Sequence, residues 1–169
     1  MAESHKHLLL KQVAMRWLQS TGCVAWVFEV SFYDIGIVDV CGLKKGGDVY
    51  VVEAKISNSD LKNDFKGTGR RHGFKYSKLS KIYKYEVSKQ VDFIYYITAD
   101  GVDTSDLPTF IGLLDESGRI KRRAGRRRPK EKSDKEVMQS FRRVAKALSW
   151  RKYKHVINHE QEQIEFSLI

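Results

Sequence analysis

The stretch Ile37-Val-Asp39-Val-Cys-Gly-Leu-Lys-Lys-Gly46-Gly47-Asp-Val-Tyr-Val-Val-Glu53-Ala-Lys55 reads as two short apolar runs joined by a permissive glycine turn. Ile35 to Leu43 and Val49 to Ile56 are the expected strands of that hairpin. Side chains alternate along a strand, so Glu53 and Lys55 share a face, with the Ala54 carbonyl directed along the strand edge between them. Asp39 on the other strand is within plausible reach. Two carboxylates and an amine on neighbouring strands are the parts that hold a divalent metal and a water against a phosphodiester. The pattern acid, any residue, lysine also occurs as Asp60-Leu-Lys62 and Asp64-Phe-Lys66, in a polar segment where an exposed helix face explains it. For Glu53 and Lys55 the structural alternative is a cross-strand salt bridge at a sheet edge.

Upstream of the hairpin, Leu8, Leu10, Val13, Ala14, Trp17 and Leu18 recur at helical spacing before Gly22, which predicts a helix from about Ser4 to Ser20. Val24 to Tyr33 predicts a strand with Trp26, Phe28, Val30 and Phe32 on one face and Glu29, Ser31 and Tyr33 on the other. Glu29 is thus an acid in a sheet-forming run, either on a solvated face or near a metal. Downstream, Ser57 to Lys66 opens with capping residues and predicts a short helix, followed by the basic glycine loop Gly67 to Gly73. Ser77 to Lys89 fits a helix, Val91 to Thr98 a strand, and Thr109 to Leu114 and Ile120 to Arg123 two shorter strands. Ser133 with Glu136 matches a capping box, starting a helix with Val137, Phe141, Val144, Ala145 and Leu148 on one face; Ile164 to Ile169 reads as a last strand. This order predicts an α/β fold, one domain with a central mixed sheet flanked by helices. Within it, residues 1–118 form the core, 119–132 a basic loop or arm, and 133–169 a helix and strand packing back on the core.

At 169 residues and 41% apolar content the chain supports one ordinary core. No apolar run is long enough to cross a bilayer, and Lys6, Lys11 and Arg16 interrupt the N-terminal segment, unlike a signal peptide. A soluble protein of the cytoplasm, in a bacterial or phage-infected cell, is expected. Cys23 and Cys41 read as two buried thiols of a reducing compartment rather than a disulfide. The net charge of +10 is unevenly placed: residues 119–154 hold 16 Lys or Arg against three acids, +13, and the rest of the chain holds 15 against 18, −3. Lys121 to Lys132 is charged enough to repel itself, so a mobile arm is expected, with a polyanion as natural partner. A solubility tail or a membrane-surface contact is the alternative.

Taken together, Asp39, then Glu53-x-Lys55, preceded by a helix and followed by helix and strand, resembles the PD-(D/E)XK nuclease superfamily. More narrowly, Phe-Glu29-Val, Val-Asp39-Val, Val-Val-Glu53-Ala-Lys55-Ile-Ser and Asp60-Leu-Lys-Asn-Asp64-Phe-Lys, continuing into Phe93-Ile-Tyr-Tyr-Ile-Thr98, is similar to the MmcB-like DNA-repair proteins. The resemblance runs from about Glu29 to Asp115. Val38 stands where the eponymous proline would, the loop 67–73 looks inserted, and the basic block lies outside.

The resemblance implies a restriction-endonuclease-like core and a Mg²⁺- or Mn²⁺-dependent deoxyribonuclease acting in repair, recombination or phage DNA processing. Asp39, Glu53 and the Ala54 carbonyl would bind the metal, Lys55 would orient or deprotonate the attacking water, and Glu29 would be an extra ligand or supporting acid. DNA would meet Arg70, Arg71 and His72 of the glycine loop, Lys75 and Lys78 beyond it, and Arg122, Arg123, Arg126, Arg127 and Arg128. His5 and His7 lie near the terminus, and His155 and His159 lack the glutamate of a metalloprotease pair. The second reading is a nucleic-acid-binding module of the same fold with weak or partner-dependent cleavage. A homodimer is left open.

Overall fold

A computed structural model describes residues 4–32, 36–65, 69–71, 74–76, 91–127 and 131–150, and among these described residues three helices and eight strands follow one another. Helix α1 (His5–Ser20) starts where Ser4 accepts the His7 N–H, one of the donors a helix start leaves without an internal partner. Strands β1 (Cys23–Phe32), β2 (Gly36–Lys44) and β3 (Val49–Lys55) form an antiparallel meander. The β2–β3 turn closes by Lys44 N–H to Asp48 O at 2.9 Å, and Gly47 takes the left-handed φ of 82° that the turn requires.

Helix α2 (Asn58–Phe65) follows, capped by Ser57, whose hydroxyl accepts the Asp60 N–H at 3.1 Å. The expected glycine loop instead holds β4 (Gly69–Arg71), paired with β5 (Phe74–Tyr76) in a separate two-stranded ladder. Their register sets Gly69 against Tyr76 and Arg71 against Phe74, a pairing that a reading of composition takes for open loop. The helix expected over 77–89 and the strand over 164–169 lie outside the described residues. Strand β6 (Phe93–Thr98) runs parallel to β3, β7 (Gly112–Leu114) parallel to β6, and β8 (Ile120–Arg122) antiparallel to β7. The result is a single α/β domain around a six-stranded mixed sheet in the order β1-β2-β3-β6-β7-β8. Helix α3 (Asp134–Trp150) starts with the capping box: Ser133 N–H donates to Glu136 Oε2 at 2.9 Å, and Glu136 N–H returns to Ser133 Oγ at 3.4 Å. Val144 of its apolar stripe is buried and Val137 and Phe141 are half-buried, whereas Ala145 is exposed.

Two cores result, one on each sheet face. Leu10, Ala14, Trp17 and Leu18 of α1 cover Val40, Tyr50, Val52, Ala54, Tyr95 and Ile97. On the other side Leu61 of α2 and Val144 of α3 join Val27, Cys41, Leu43, Val49, Val51 and Ile94. Cys23 and Cys41 are both buried thiols. Among the described residues, no helix is long and apolar enough to cross a membrane.

The simple alternation expected for β1 fails at Glu29. Phe28 packs on the α1 side, but Val30 and Phe32 join Val27 in the opposite core. Glu29 has φ 51°, a left-handed backbone that non-glycine residues rarely adopt, and it resets the alternation by one position. Strand β2 makes the same change across the ladder: Cys41 faces one core, Val40 the other, and Val38 the first again. Glu29 and Asp39 lie at that change of face.

Parallel pairing sets Gly112 against the Tyr95 ring, where a Cβ would stand 2.2 Å from Cε1 and 2.3 Å from Cδ1. The ring cannot swing away, since its hydroxyl accepts the Ala124 N–H at 3.2 Å and it packs 4.5 Å from Trp17. Gly112→Ala is expected to cost about 1–3 kcal/mol in urea unfolding, as other overpacked positions do. An unchanged midpoint would contradict this packing.

Candidate functional site

The β2–β3 ladder runs from the pair Leu43 and Val49 to the pair Val40 and Val52. One step further, the Asp39 side chain takes over, its Oδ2 accepting the Ala54 N–H at 2.8 Å. The strands therefore part where the candidate residues sit, with a carboxylate satisfying a donor that a longer ladder would have used. Asp39 and the Ala54 backbone are thus brought together.

Helix α1 reaches the same point with two residues one turn apart. Lys11 is 3% exposed, in line with Ala14 and Leu18, and its Nζ donates to Glu29 Oε1 at 3.1 Å and stands 3.5 Å from Asp39 Oδ1. His7 Nε2 lies 3.1 Å from the Ala54 carbonyl oxygen and 3.5 Å from Asp39 Oδ2. Burial pushes the Asp39 carboxyl up, but the hydrogen bonds from His7 and Ala54 and the charge of Lys11 outweigh it and hold it well below the usual carboxylate range. Sequence reading set His7 aside as terminal and used Lys11 only against a signal peptide. The signal was present nonetheless, because positions 7, 11, 14 and 18 form one helical stripe, and two ionisable groups interrupt its apolar half.

Glu53 and Lys55 face α2 together with Val49 and Val51. Lys55 Nζ lies 3.8 Å from Glu53 Oε2, 3.9 Å from Asp60 Oδ1 and 3.0 Å from Asp64 Oδ1. The Tyr96 hydroxyl donates to the other Asp64 oxygen at 2.9 Å. Asp64, expected on an exposed helix face, is instead buried at 8% exposure, because α2 turns it onto the sheet beside a lysine and a phenol. Burial alone would lower the Lys55 pKa, yet Glu53, Asp64 and Asp60 raise it above the ordinary value, so the side chain is a firmly held ammonium. Burial, and then the charges of Asp64, Glu53 and Asp39, push the Tyr96 phenol well up, which keeps it a neutral donor.

Seen from its chemistry, the region gathers five carboxylates, Glu29, Asp39, Glu53, Asp60 and Asp64, around two lysines and His7. Lys11 links Glu29 to Asp39, and Lys55 links Glu53 to α2. Among the described residues, no group of three His, Cys, Asp or Glu side chains is close enough to hold a metal ion.

The fold has a counterpart among solved structures. The SPO1766 protein of unknown function from Silicibacter pomeroyi is similar with a TM-score of 0.63 and 20% identity, over 89% of this chain and 90% of that one. At that identity the likeness concerns the fold alone. No protein-family model matches the chain. No curated protein matches it either.

The basic residues divide into two sets. Arg122, expected to meet DNA, donates to the carbonyls of Ile111 at 2.9 Å and Pro108 at 3.0 Å. Arg126 makes a two-pronged contact with Asp48 at 3.0 and 2.7 Å, and Arg127 lies over the Phe110 ring at 4.4 Å. The stretch up to residue 127 is therefore anchored rather than an arm repelled by its own charge, since Asp48 and Asp92 supply counter-charge that residues 119–127 lack. Arg123 is exposed. Arg70, Arg71 and Lys75 belong to the β4–β5 ladder, and His72, Lys78 and Arg128 lie outside the described residues.

Proposed function

We propose that this protein is a metal-dependent DNA nuclease whose reaction centre is the parting of β2 and β3. The observation that carries the reading is Lys55, buried and held as an ammonium beside Glu53, one residue from the Ala54 N–H that Asp39 grips. Resemblance to the PD-(D/E)XK nucleases and MmcB-like repair proteins, with Asp39, Glu53 and Lys55 in matching order, supports it. The donors of Asp39, Glu53 and the Ala54 carbonyl are all oxygen, the chemistry that Mg²⁺ and Mn²⁺ accept. Bound there, such an ion would act as a Lewis acid on a phosphodiester and lower the pKa of its water.

The chain's own residues supply the rest. With its pKa raised, Lys55 acts as a fixed positive charge that orients the attacking water and stabilises charge growing at phosphorus, rather than as the base. Asp64 holds it in place and is itself held by the Tyr96 hydroxyl. Exposed Arg119, Lys121 and Arg123, with Lys135, Arg142 and Lys146 on α3, offer phosphate contacts without base reading. The second reading, a nucleic-acid-binding module of the same fold, draws on His7 and Lys11, which lie across the Asp39 and Ala54 oxygens.

The test is incubation of the full chain with plasmid, single-stranded and branched DNA in Mg²⁺ or Mn²⁺. Cleavage is expected, with a loss of about 10²–10³-fold or more in Asp39→Asn while DNA retention persists. Retention without cleavage by the parent would leave the binding module, and neither activity would defeat both readings.

A further inference from the structure

We propose that the open cleft between α2 and the loop after β6 takes an unpaired guanine base, so that the DNA this protein engages is single-stranded or branched rather than continuous duplex. This rests on the nucleic-acid reading above and not on cleavage. The cleft holds about 350 Å³ and is lined by Asn58, Leu61, Lys62, Phe65, Asp103 and Asp106. That is the small end of the range for ligand sites, with room for one planar base. Positions 58, 61, 62 and 65 share one face of α2 at helical spacing, whereas Asp60 and Asp64 meet Lys55 from the next face. The thickness of one helix, about 10 Å, therefore separates the cleft from the candidate reaction centre.

The two walls are tied together. Asn58 Oδ1 accepts the Asp103 N–H at 2.7 Å, and Asp103 Oδ1 accepts the Ser105 N–H at 2.9 Å, which fixes the loop against the helix. The first of these bonds occupies the Asn58 oxygen and leaves its amide nitrogen as a donor. Among the described residues, the Asp106 carboxylate and the Lys62 ammonium make no hydrogen bond or ion pair. Phe65 is 37% exposed although apolar, and Leu61 beside it is buried. A ring to stack on, two nitrogen donors and a carboxylate match guanine in particular. Its Watson–Crick edge presents two adjacent donors, at N1 and N2, to the two oxygens of one carboxylate, while O6 and N7 accept from an amide or an ammonium. That edge is open only in an unpaired base. Asp103 and Asp106 repel a phosphate, so the base rather than the backbone enters the cleft.

Fluorescence anisotropy of the full chain, in EDTA so that nothing is cut, tests this with labelled strands of thymine alone and of thymine with one central guanine or hypoxanthine. The guanine strand should bind about 10-fold more tightly than the thymine strand, the scale of a two-pronged base contact. Hypoxanthine, which lacks the N2 amine, should lose most of that preference, and pairing the guanine with a complementary strand should abolish it. Phe65→Ala and Asp106→Asn should both lose the preference, and Asp106→Asn should bind the thymine strand no more weakly than the parent, since it removes a negative charge. Both side chains are exposed, so the urea midpoints should stay with the parent's. Equal affinity for the guanine and thymine strands, or a preference that survives both variants, overturns the cleft while leaving nucleic-acid binding standing. Free deoxyguanosine monophosphate that binds as tightly as the guanine strand assigns the cleft to a free nucleotide and overturns it too. A parent that retains no strand at all defeats the nucleic-acid reading and this inference with it.

Discussion

Replacing Lys55 with methionine is expected to remove about 3–5 kcal/mol of stability and to abolish cleavage, the first by urea unfolding and the second on plasmid DNA. The side chains of Lys55, Glu53 and Asp64 are 7%, 3% and 10% exposed, so removing the ammonium leaves carboxylates in the interior without their counter-charge. Such a loss far exceeds the fraction of a kcal/mol that a surface ion pair contributes. It also has a definite pH dependence. The folded-state pKa of Lys55 is raised above 10.5, so its stabilisation is full below the unfolded value and fades as pH rises through the folded one. The gap between parent and Lys55→Met should therefore be constant near neutrality and narrow above pH 10.5. A variant as stable as the parent would mean that the cluster is solvated and Lys55 is no fixed charge. A stable variant that still cuts DNA would remove Lys55 from the chemistry.

The same three residues show what the sequence could and could not reveal. The hairpin was legible because Gly46-Gly47 and two β-branched runs fix register locally, and both helix starts were legible because Ser57 and Ser133 cap them through short-range hydrogen bonds. The pairing of Glu53 with Lys55 followed from the two-residue period, which holds along β3. Asp64 was misread because its burial depends on how α2 docks against β6, a contact 32 residues away that no local pattern encodes. Glu29 was half legible. Its position in an apolar run was visible, but the left-handed backbone that carries it and Asp39 to the α1 side arises from sheet geometry. The basic block was misread up to residue 127 for a related reason. Its charge repels itself only until Asp48 and Asp92, from distant points in the chain, are folded beside it.

That last arrangement carries the second large effect, and it falls on Asp92. Its side chain is fully buried and works in several directions at once. Oδ2 accepts the Val49 N–H at 2.7 Å, and Oδ1 meets Lys132 at 3.1 Å and Arg126 at 3.5 Å. Its backbone N–H donates to Val49 O, and its carbonyl accepts the Arg127 N–H, both at 2.9 Å. Asp92→Ala would strand the Val49 donor, costing about 1–3 kcal/mol, and take half the counter-charge from Lys132, whose side chain is only 3% exposed. A total of about 3–5 kcal/mol is expected in urea unfolding, the range for breaking a buried pair. Arg126→Ala serves as the contrast, since its side chain is 29% exposed and its contact with Asp48 is near the surface, so at most about 1 kcal/mol should be lost. Loss of Asp92 should also free the basic stretch from the sheet, and trypsin should cut within 119–127 faster in Asp92→Ala than in the parent under native conditions. Equal digestion rates, with the two variants equally stable, would show that this carboxylate does not anchor the segment and that its positive charge is free for a partner.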